Sequence, residues 1–511
     1  MPPKMDKNKV NYGVYLVTDS TPAILGNKDL TSVVEAAVRG GATIVQYRDK
    51  TSDRATAVRT ARALLAVTRR HGVPLLVNDR VDVAVEVGCE GVHIGQDDMA
   101  YEEARKLLGP DKIIGVTASS IHEALKACEA GADYLGLGTV YATQTKKDTK
   151  SIIGTAGIRS ILQALSSAGH AAIPTVCIGG IGSSNATAVL VESSAAPAKS
   201  LDGIAVVSAL VAAQDPAVAA RELLTNVAMG RVPDVVKAVA AGTPLSHNMT
   251  NLVVQNFAAN VALAVGASPI MANYAEEAAD LAKLGGALVI NMGTVTPEGL
   301  KNHVQALQAY NAAGGPVVYD PVGAGATAIR RNAVKTLLSS GHFTVIKGNE
   351  REIQTVYGSS VSQRGVDSSS SLTIPQRATL ARALARRTGA VVILTGKTDV
   401  VSDASRTFRV DNGHDFLGQV TGTGCTLGTT VSAMVAAFRS DVLVAALAGL
   451  VLFEIAAERA AVRDDVRGPG TFVPAFIDEL SAVRKETAGG NVAWLAKARI
   501  EALEVVDEES A

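Results

Sequence analysis

A chain of 511 residues is longer than one ordinary domain, because hydrophobic cores stop growing at roughly 250–300 residues, so two large domains or three smaller ones are expected. With 47% hydrophobic residues, 19% charged residues and 47 glycines, it has the make-up of a compact Ala/Val/Gly-rich globular protein and not of a disordered one. The formal net charge is -1, and the sequence has no long basic run and no basic-aromatic interleaving, which argues against nucleic acid or an anionic membrane as the main partner.

The first ten residues, MPPKMDKNKV, carry charges with no apolar stretch or small-residue cleavage pattern behind them, so no secretion signal is expected and a cytoplasmic location is. From Val14 to about Leu210, short apolar runs alternate with longer amphipathic segments. Eight strand candidates follow in order: VYLV from Val14, TIVQY from Thr43, PLLVN from Pro74, GVHIG from Gly91, KIIGV from Lys112, YLGLG from Tyr134, PTVCIG from Pro174 and GIAVVS from Gly203. Several of the segments between them, such as TSVVEAAVRGG and SIHEALKACEAGA, open on Ser or Thr and close on Gly, as helix caps prefer. Eight βα units in so short a span predict a TIM barrel, a closed (βα)8 fold.

The alternation stops in DPAVAARELLTNVAMGRVPDVVKAVAAGTPL, from Asp215, and a domain boundary is placed near residue 230, giving domains of 1–230 and 231–511. Beyond it, SPIMA, ALVINMG, PVVYDPVG, FTVIKGN and VVILTG read as strands, and the chain from Thr421 onward as mostly helix. That pattern predicts an open α/β/α sandwich. The serine-rich stretch from Ser359 reads as a surface loop, and VLVAALAGLVLF from Val442, too short to span a bilayer, as a buried helix. Cys89, Cys128, Cys177 and Cys425 are too scattered for a zinc site or disulfide framework. Only Cys425 has an unusual setting, in VTGTGCTLGTT.

In a TIM barrel the chemistry lies just beyond the C-terminal ends of the strands, and here those ends are polar. Strand two ends in Gln46, Arg48 and Lys50, whose period-two spacing puts them on one side. Strand three ends in Asn78 and Asp79, strand four leads through His93 to Asp97 and Asp98, and strand five reaches Thr117. After strand six come Thr143, Thr145, Lys146 and Lys147; strands seven and eight end in the Gly179–Gly180 pair and in Ser208. Carboxylates from neighbouring strands suit Mg²⁺, and the cations and glycine amides suit a diphosphate. His93 reads as a satisfied structural histidine.

QYRDK, LVNDR, GVHIGQDD, GLGTVYATQTKKD and CIGGI resemble, in order and spacing, the motifs of thiamine phosphate synthases, over residues 11–225. The resemblance implies a hydroxymethylpyrimidine diphosphate whose pyrophosphate leaves, giving a pyrimidine cation that is trapped by a thiazole nitrogen. It also implies Asp79 and Asp98 on Mg²⁺, and Arg48, Lys50, Asn78 and Lys146 on pyrophosphate with Gln46 and Thr117 nearby. Thr143, Thr145, Gly180, Val207 and Ser208 would line the thiazole phosphate side. No strong base is needed when departing diphosphate charge is stabilised.

In the second half, GKT at Gly396–Thr398 suggests a P-loop, but that motif requires a glycine where Val391 stands. TGTGC before a small-residue helix is a different anion device, glycine amides at a helix N-terminus. Together with DPVGAGA, KGNEREI, ILTGKTDVV and SHNMTNLVVQNFAANVALAVGASPIMA, it resembles the hydroxyethylthiazole kinases of the ribokinase-like superfamily, over about residues 235–505. That resemblance implies Asn251 and Met271 at the thiazole alcohol; Asp320, Lys347 and Thr395 around ATP; and Asn349 and Glu352 organising Mg²⁺. Gly422 and Gly424 would frame the anion hole, and Cys425 would stand where most ribokinase-like enzymes place an aspartate base. A helix N-terminus is expected to lower the thiol pKa.

The two resemblances together imply a fungal-type bifunctional enzyme of thiamine biosynthesis. Its small-molecule substrates would be hydroxyethylthiazole, its phosphate, the pyrimidine diphosphate and ATP, and it would be a trimer or hexamer through the kinase half. The TKKD loop and the cysteine of TGTGC argue against a barrel isomerase fused to a pyrimidine or pyridoxal kinase. The retained Asp79, Asp98, Arg48 and Cys425 argue against a non-catalytic precursor sensor.

Overall fold

The computed structural model describes residues 5–143, 151–358 and 372–504. The chain divides into two compact units, Met1–Arg231 and Val232–Ala511.

In the first unit β1 (Val14–Val17), β2 (Ile44–Tyr47), β3 (Leu75–Asn78), β4 (Gly91–Ile94), β5 (Ile113–Ala118), β6 (Tyr134–Gly138), β7 (Thr175–Ile178) and β8 (Gly203–Val206) close in sequence order into an all-parallel barrel. Their apolar runs are buried on both faces, one against the barrel interior and one against the surrounding helices, which is why they read as continuous and not alternating. The interior is filled by inward side chains from successive strands, among them Tyr15, Ile44, Leu76, Ile113, Tyr134, Val176 and Ala205. The helices end as their sequences demand. Asp29 and Ser120 accept the amides of Ser32 and Glu123 at N-caps, and Gly41 and Gly131 close C-termini in the left-handed conformation.

In the second unit a mixed sheet runs in the order β10 (Ser268–Ile270), β9 (Leu245–Met249), β11 (Ala287–Asn291), β12 (Val317–Asp320), β13 (Val345–Asn349), β14 (Val391–Thr395), β15 (Asp399–Ser402), β16 (Thr407–Val410), β17 (Ile500–Ala502). Strands β10 to β14 are parallel and the last three pairings antiparallel. Helices 255–265, 423–437, 442–461 and 469–488 pack on one another over one face, and helices 278–283, 297–312, 328–340, 350–356 and 374–388 cover the other, so the expected α/β/α sandwich is present. The Val442 run is the buried helix Val442–Ala461.

Besides the unexpected strands β15 and β16, three features escape an apolar-run reading. Strand β9 is LSHNM, whose polar groups are satisfied inside the fold: Ser246 Oγ meets Ser432 Oγ at 2.6 Å, His247 Nε2 meets the Ala272 carbonyl at 2.8 Å, and Thr429 Oγ1 donates to Asn248 Oδ1 at 2.7 Å. GKT is the turn of the antiparallel β14–β15 hairpin, not the strand-to-helix loop of a P-loop. The third is β17, in a segment expected to be helical.

Below that hairpin, the buried Glu454 carboxyl lies beside Asp399, with its Oε2 buried and without a hydrogen-bond partner among the described residues. Burial first, then the charge of Asp399, pushes Glu454 well above its ordinary value. Asp399 Oδ1 already accepts the Gly396 amide at 2.8 Å, so the pair's proton belongs on Glu454. A carboxyl whose folded pKa exceeds its unfolded one costs stability as pH rises through the folded value. Stability of this unit therefore falls from mildly acid to alkaline buffer, and Glu454→Gln, which mimics the protonated acid, flattens that slope in thermal unfolding. An unchanged slope in the variant would remove the assignment.

Candidate active sites

The polar strand tips of the barrel converge on one cavity of about 990 Å³. Its lining includes Gln46, Arg48, Lys50, Asn78, Asp79, Asp98, Thr117, Thr143, Gly180, Val207 and Ser208. Thr145, Lys146 and Lys147 lie outside the described residues.

Parallel pairing sets the neighbours. Asn78 on β3 pairs with His93 on β4, so Asp79 and the turn after β4 emerge side by side. Asp79 has a left-handed φ of 62°, which turns the chain sharply off the strand; Asp tolerates this region better than most residues. Its carboxylate pairs with the Lys50 ammonium and lies against Asp98. Asp98 Oδ2 accepts the Gly95 amide at 2.6 Å. Burial, then the Asp79 carboxyl beside it, pushes Asp98 above the usual carboxylate range. Two carboxyl groups in contact are in want of positive charge, so this donor set fits a divalent cation. Gly179 and Gly180 are both left-handed, and a Cβ on Gly179 would stand 2.2 Å from Thr139 Cγ2. Only glycine gives this close approach of two strand tips.

Arg48 is held by a residue that the strand-tip reading omits. Asp19, at the end of β1 and almost buried, takes Arg48 Nη1 at 3.2 Å and also the Thr21 hydroxyl at 2.6 Å. Tyr15 and Tyr134 are likewise absent from a reading based on polar tips, because each sits within an apolar strand. His93 bonds Tyr134 Oη at 2.7 Å and Thr117 Oγ1 at 2.8 Å, so the satisfied-histidine reading describes it.

The second unit builds its site the same way, at the C-terminal ends of β9, β11, β12 and β13. Lys347 Nζ donates to Asp320 Oδ2 at 3.0 Å and to the Gly424 carbonyl at 2.6 Å, and both side chains are buried. Burial disfavours either charge, raising the Asp320 pKa and opposing protonation of Lys347, but the surrounding acidic groups, Asp320 first and then Cys425 and Glu352, together outweigh it at the lysine, whose pKa is raised. With two oxygen acceptors on one ammonium, the pair is ionised. Asn291 Nδ2 donates to Asp320 Oδ2 at 2.9 Å, and Asn251 Nδ2 donates to Asn291 Oδ1 at 3.0 Å and to Cys425 Sγ at 3.5 Å. One chain of hydrogen bonds thus joins Asn251, Asn291, Asp320, Lys347 and the glycine turn. Asn291 is the residue sequence reasoning missed; as a polar residue ending the apolar strand ALVIN, it obeys the strand-tip rule used for the barrel.

Glu352 sits in a capping box with Asn349 at the end of β13. Its oxygens accept the amides of Gly323 and Asn349, each at 2.8 Å. Burial, then Asp320, pushes its pKa up to about 7. Thr395 pairs in register with Asn349 on the adjacent strand tip. Met271 follows β10 at the edge of the same sheet and lies outside this network.

Helix Thr423–Ala437 opens behind Gly422, left-handed at φ 96°. Burial, then Asp320, raises the Cys425 pKa, the reverse of the lowering expected from a helix N-terminus. Withdrawal from water and a nearby carboxylate outweigh the helix dipole here, so the resting group is a thiol.

A barrel whose strand tips surround a cation-fitting carboxylate pair, together with a sandwich whose buried lysine faces a helix mouth, marks a two-domain transferase of phosphorylated small molecules. Residues 14–210 match the family Thiamine monophosphate synthase, and residues 236–486 the Hydroxyethylthiazole kinase family. The chain is 40% identical to the probable thiamine biosynthetic bifunctional enzyme of Schizosaccharomyces pombe, over 98% of this chain and 100% of that one. It is 36% identical to the thiamine biosynthetic bifunctional enzyme of Saccharomyces cerevisiae, over 93% and 96%. A solved hydroxyethylthiazole kinase from Pyrococcus horikoshii is 36% identical, over 53% of this chain and 98% of that one, with a TM-score of 0.46. The chain belongs to the family of bifunctional thiamine biosynthetic enzymes, with a thiamine-phosphate synthase domain followed by a hydroxyethylthiazole kinase domain.

Proposed function

We propose that the second unit transfers the γ-phosphoryl group of ATP to hydroxyethylthiazole. The barrel then joins the resulting thiazole phosphate to hydroxymethylpyrimidine diphosphate, releasing pyrophosphate. The observation that carries this reading is the end-to-end match to a bifunctional relative, which covers both sites in one chain.

In the barrel, Asp79 and Asp98 would hold Mg²⁺, which supplies charge neutralisation for the departing diphosphate. Arg48, Lys50, Asn78 and Lys146 bind the diphosphate oxygens, with Gln46 and Thr117 at the pyrimidine. Thr143, Thr145, Gly180, Val207 and Ser208 receive the thiazole phosphate. Convergence of the described members of both sets on one cavity supports this division. Because the leaving charge is cushioned, no side chain has to abstract a proton before the C–O bond breaks.

In the kinase unit, Asn251 and Met271 position the thiazole alcohol, while Asp320, Lys347 and Thr395 surround ATP. Gly422 and Gly424 present helix amides to the transferring phosphoryl group, and Glu352 would organise Mg²⁺ on the ATP phosphates. Cys425 acts as the base only through its minority thiolate form, which takes the alcohol proton late, as the alcohol oxygen bonds to phosphorus, and so returns to the resting thiol beside Asp320 and Lys347. Phosphoryl transfer gains mostly from positioning and charge stabilisation, so a weak base suffices. Cys425→Asp keeps kinase turnover, whereas Cys425→Ser lowers kcat by roughly tenfold, a secondary term beside positioning. A folded but inactive Cys425→Asp protein would count against the base role.

The kinase unit also supports self-association. Leu252 and Val253, 73% and 70% exposed, directly follow Asn251, and Tyr274 and Leu284 are exposed nearby in sequence. Assembly into a trimer or hexamer covers them, and the sedimentation mass of the full chain decides it. The function as a whole is tested by supplying hydroxyethylthiazole, ATP, Mg²⁺ and the pyrimidine diphosphate together. Thiamine phosphate and pyrophosphate are expected, and omitting ATP should stop product unless thiazole phosphate is added. Failure of either half-reaction with its own substrates would overturn the assignment of that half.

A further inference from the structure

Inside the barrel mouth a line of hydrogen bonds crosses from β2 to β5. Gln46 Nε2 meets Tyr15 Oη at 2.9 Å, Tyr15 Oη meets Tyr134 Oη at 2.7 Å, Tyr134 Oη meets His93 Nδ1 at 2.7 Å, and His93 Nε2 meets Thr117 Oγ1 at 2.8 Å. Both ends line the same cavity, as do Tyr15 and His93.

The direction of these bonds is set by counting protons. Burial pushes both phenols above their ordinary value, so each keeps its proton. A neutral phenol placed between two partners on this line accepts from one and donates to the other, and the bonds must therefore all point the same way. An amide nitrogen can only donate, which fixes the sense: Gln46 to Tyr15, Tyr15 to Tyr134, Tyr134 to His93 Nδ1. A histidine accepting at Nδ1 carries its proton on Nε2 and donates it to Thr117. Thr117 is then left with its own hydroxyl proton to donate. Turning the amide of Gln46 round, so that Oε1 meets Tyr15, would demand the opposite sense throughout, with His93 protonated on Nδ1.

We infer that Tyr15, Tyr134 and His93 form a one-way positioning relay that fixes how Gln46 faces the cavity, selecting a heterocycle with an amino donor beside a ring-nitrogen acceptor. With Nε2 tied to Tyr15, Gln46 offers its Oε1 and its second N–H side by side. An aminopyrimidine presents the complementary pair, whereas an oxo-pyrimidine presents a carbonyl and an N–H that clash with it in both places. The selection acts through a histidine tautomer that touches neither group. None of the three relay residues is itself required to transfer a proton. The inference rests on the barrel binding a pyrimidine diphosphate, as proposed above, but the relay can be read without any substrate.

The test uses the full chain labelled with nitrogen-15 in histidine, the His93 signals being assigned by their loss in His93→Asn. The expected state is a neutral ring with the proton on Nε2 and a bare Nδ1. Tyr134→Phe interrupts the relay, so the His93 tautomer is expected to relax towards a mixture. Preference for the aminopyrimidine diphosphate over its oxo counterpart, as a ratio of kcat/KM, falls by roughly tenfold, about one net hydrogen bond. Tyr15→Phe leaves Tyr134 donating to His93, so it keeps the tautomer and loses only the preference. Residual synthase turnover with the aminopyrimidine diphosphate and an unchanged barrel unfolding transition, measured on the same samples, report that the barrel is folded, and kinase turnover stays unchanged. A proton on Nδ1 in the unaltered protein overturns the relay. So does an undiminished amino preference in folded Tyr134→Phe and Tyr15→Phe. If the tautomer is as expected and no pyrimidine diphosphate is consumed, the relay stands and the assignment of the barrel reaction fails instead.

Discussion

Replacing Gly424 with valine is expected to remove kinase turnover by roughly 10²–10³-fold, the usual loss when an anion hole is disabled, while the synthase reaction of the same protein is unchanged. Helix Thr423–Ala437 begins at this turn, and the Gly424 carbonyl accepts Lys347 Nζ at 2.6 Å. A Cβ at Gly424 would meet nothing closer than that Nζ at 3.9 Å, and the residue is not left-handed, so the fold accepts a side chain there. What the valine methyls fill is the space between helix mouth and lysine, where the transferring phosphoryl group would sit in the proposed reaction. Gly422 makes the opposite control. At φ 96°, with its Cβ position 2.4 Å from Val254 Cγ1, any side chain disturbs the backbone itself. Gly422→Val should therefore lose thermal stability as well as activity, whereas Gly424→Val should lose activity alone. Full turnover in Gly424→Val would show that phosphoryl transfer happens elsewhere.

The difference between those glycines is invisible in the string TGTGC, and it illustrates which parts of the site were legible. The barrel was readable almost strand by strand, because parallel strands buried on both faces must be unbroken apolar runs and their functional ends must be polar. Gln46, Arg48, Asn78, Asp79 and Asp98 stand out as departures from such runs. Tyr15 and Tyr134 do not, since a tyrosine inside VYLV or YLGLG counts as apolar until its hydroxyl is seen to have a partner across the barrel. Asp19, a polar residue just past the VYLV run, obeys the strand-tip rule, but its task, holding Arg48, shows only in a contact between β1 and β2. The same limit governs Cys425. Sequence places it at a helix N-terminus, but only the packed unit brings Asp320 beside it, and that neighbour together with burial reverses the direction of its pKa shift. Strand β9 fails for a third reason: its serine, histidine and asparagine are buried with partners contributed by helix Thr423–Ala437 and by the segment after β10.

The carboxylate pair of the barrel gives the second large effect. Asp98→Asn is expected to cost the synthase at least about tenfold in Mg²⁺ affinity, since losing even an outer partner of a metal ligand costs that much, with kinase activity intact. Asp98 and Asp79 are in contact, and it is Asp98 whose pKa is raised, by burial and then by its neighbour. Removing its charge relieves repulsion in the metal-free protein, so thermal stability without Mg²⁺ should hold or rise. The stabilisation gained on adding Mg²⁺ should shrink, because a ligand that binds only the folded state stabilises it in proportion to its affinity. Asp79→Asn removes activity too, but it also strips Lys50 of its carboxylate partner, so its metal-free stability should not rise. The contrast separates a cation site from an ordinary ion-pair network, which would lose stability in both variants. If Asp98→Asn kept its full response to Mg²⁺ in both unfolding temperature and synthase rate, the two aspartates would be neighbours without a shared cation.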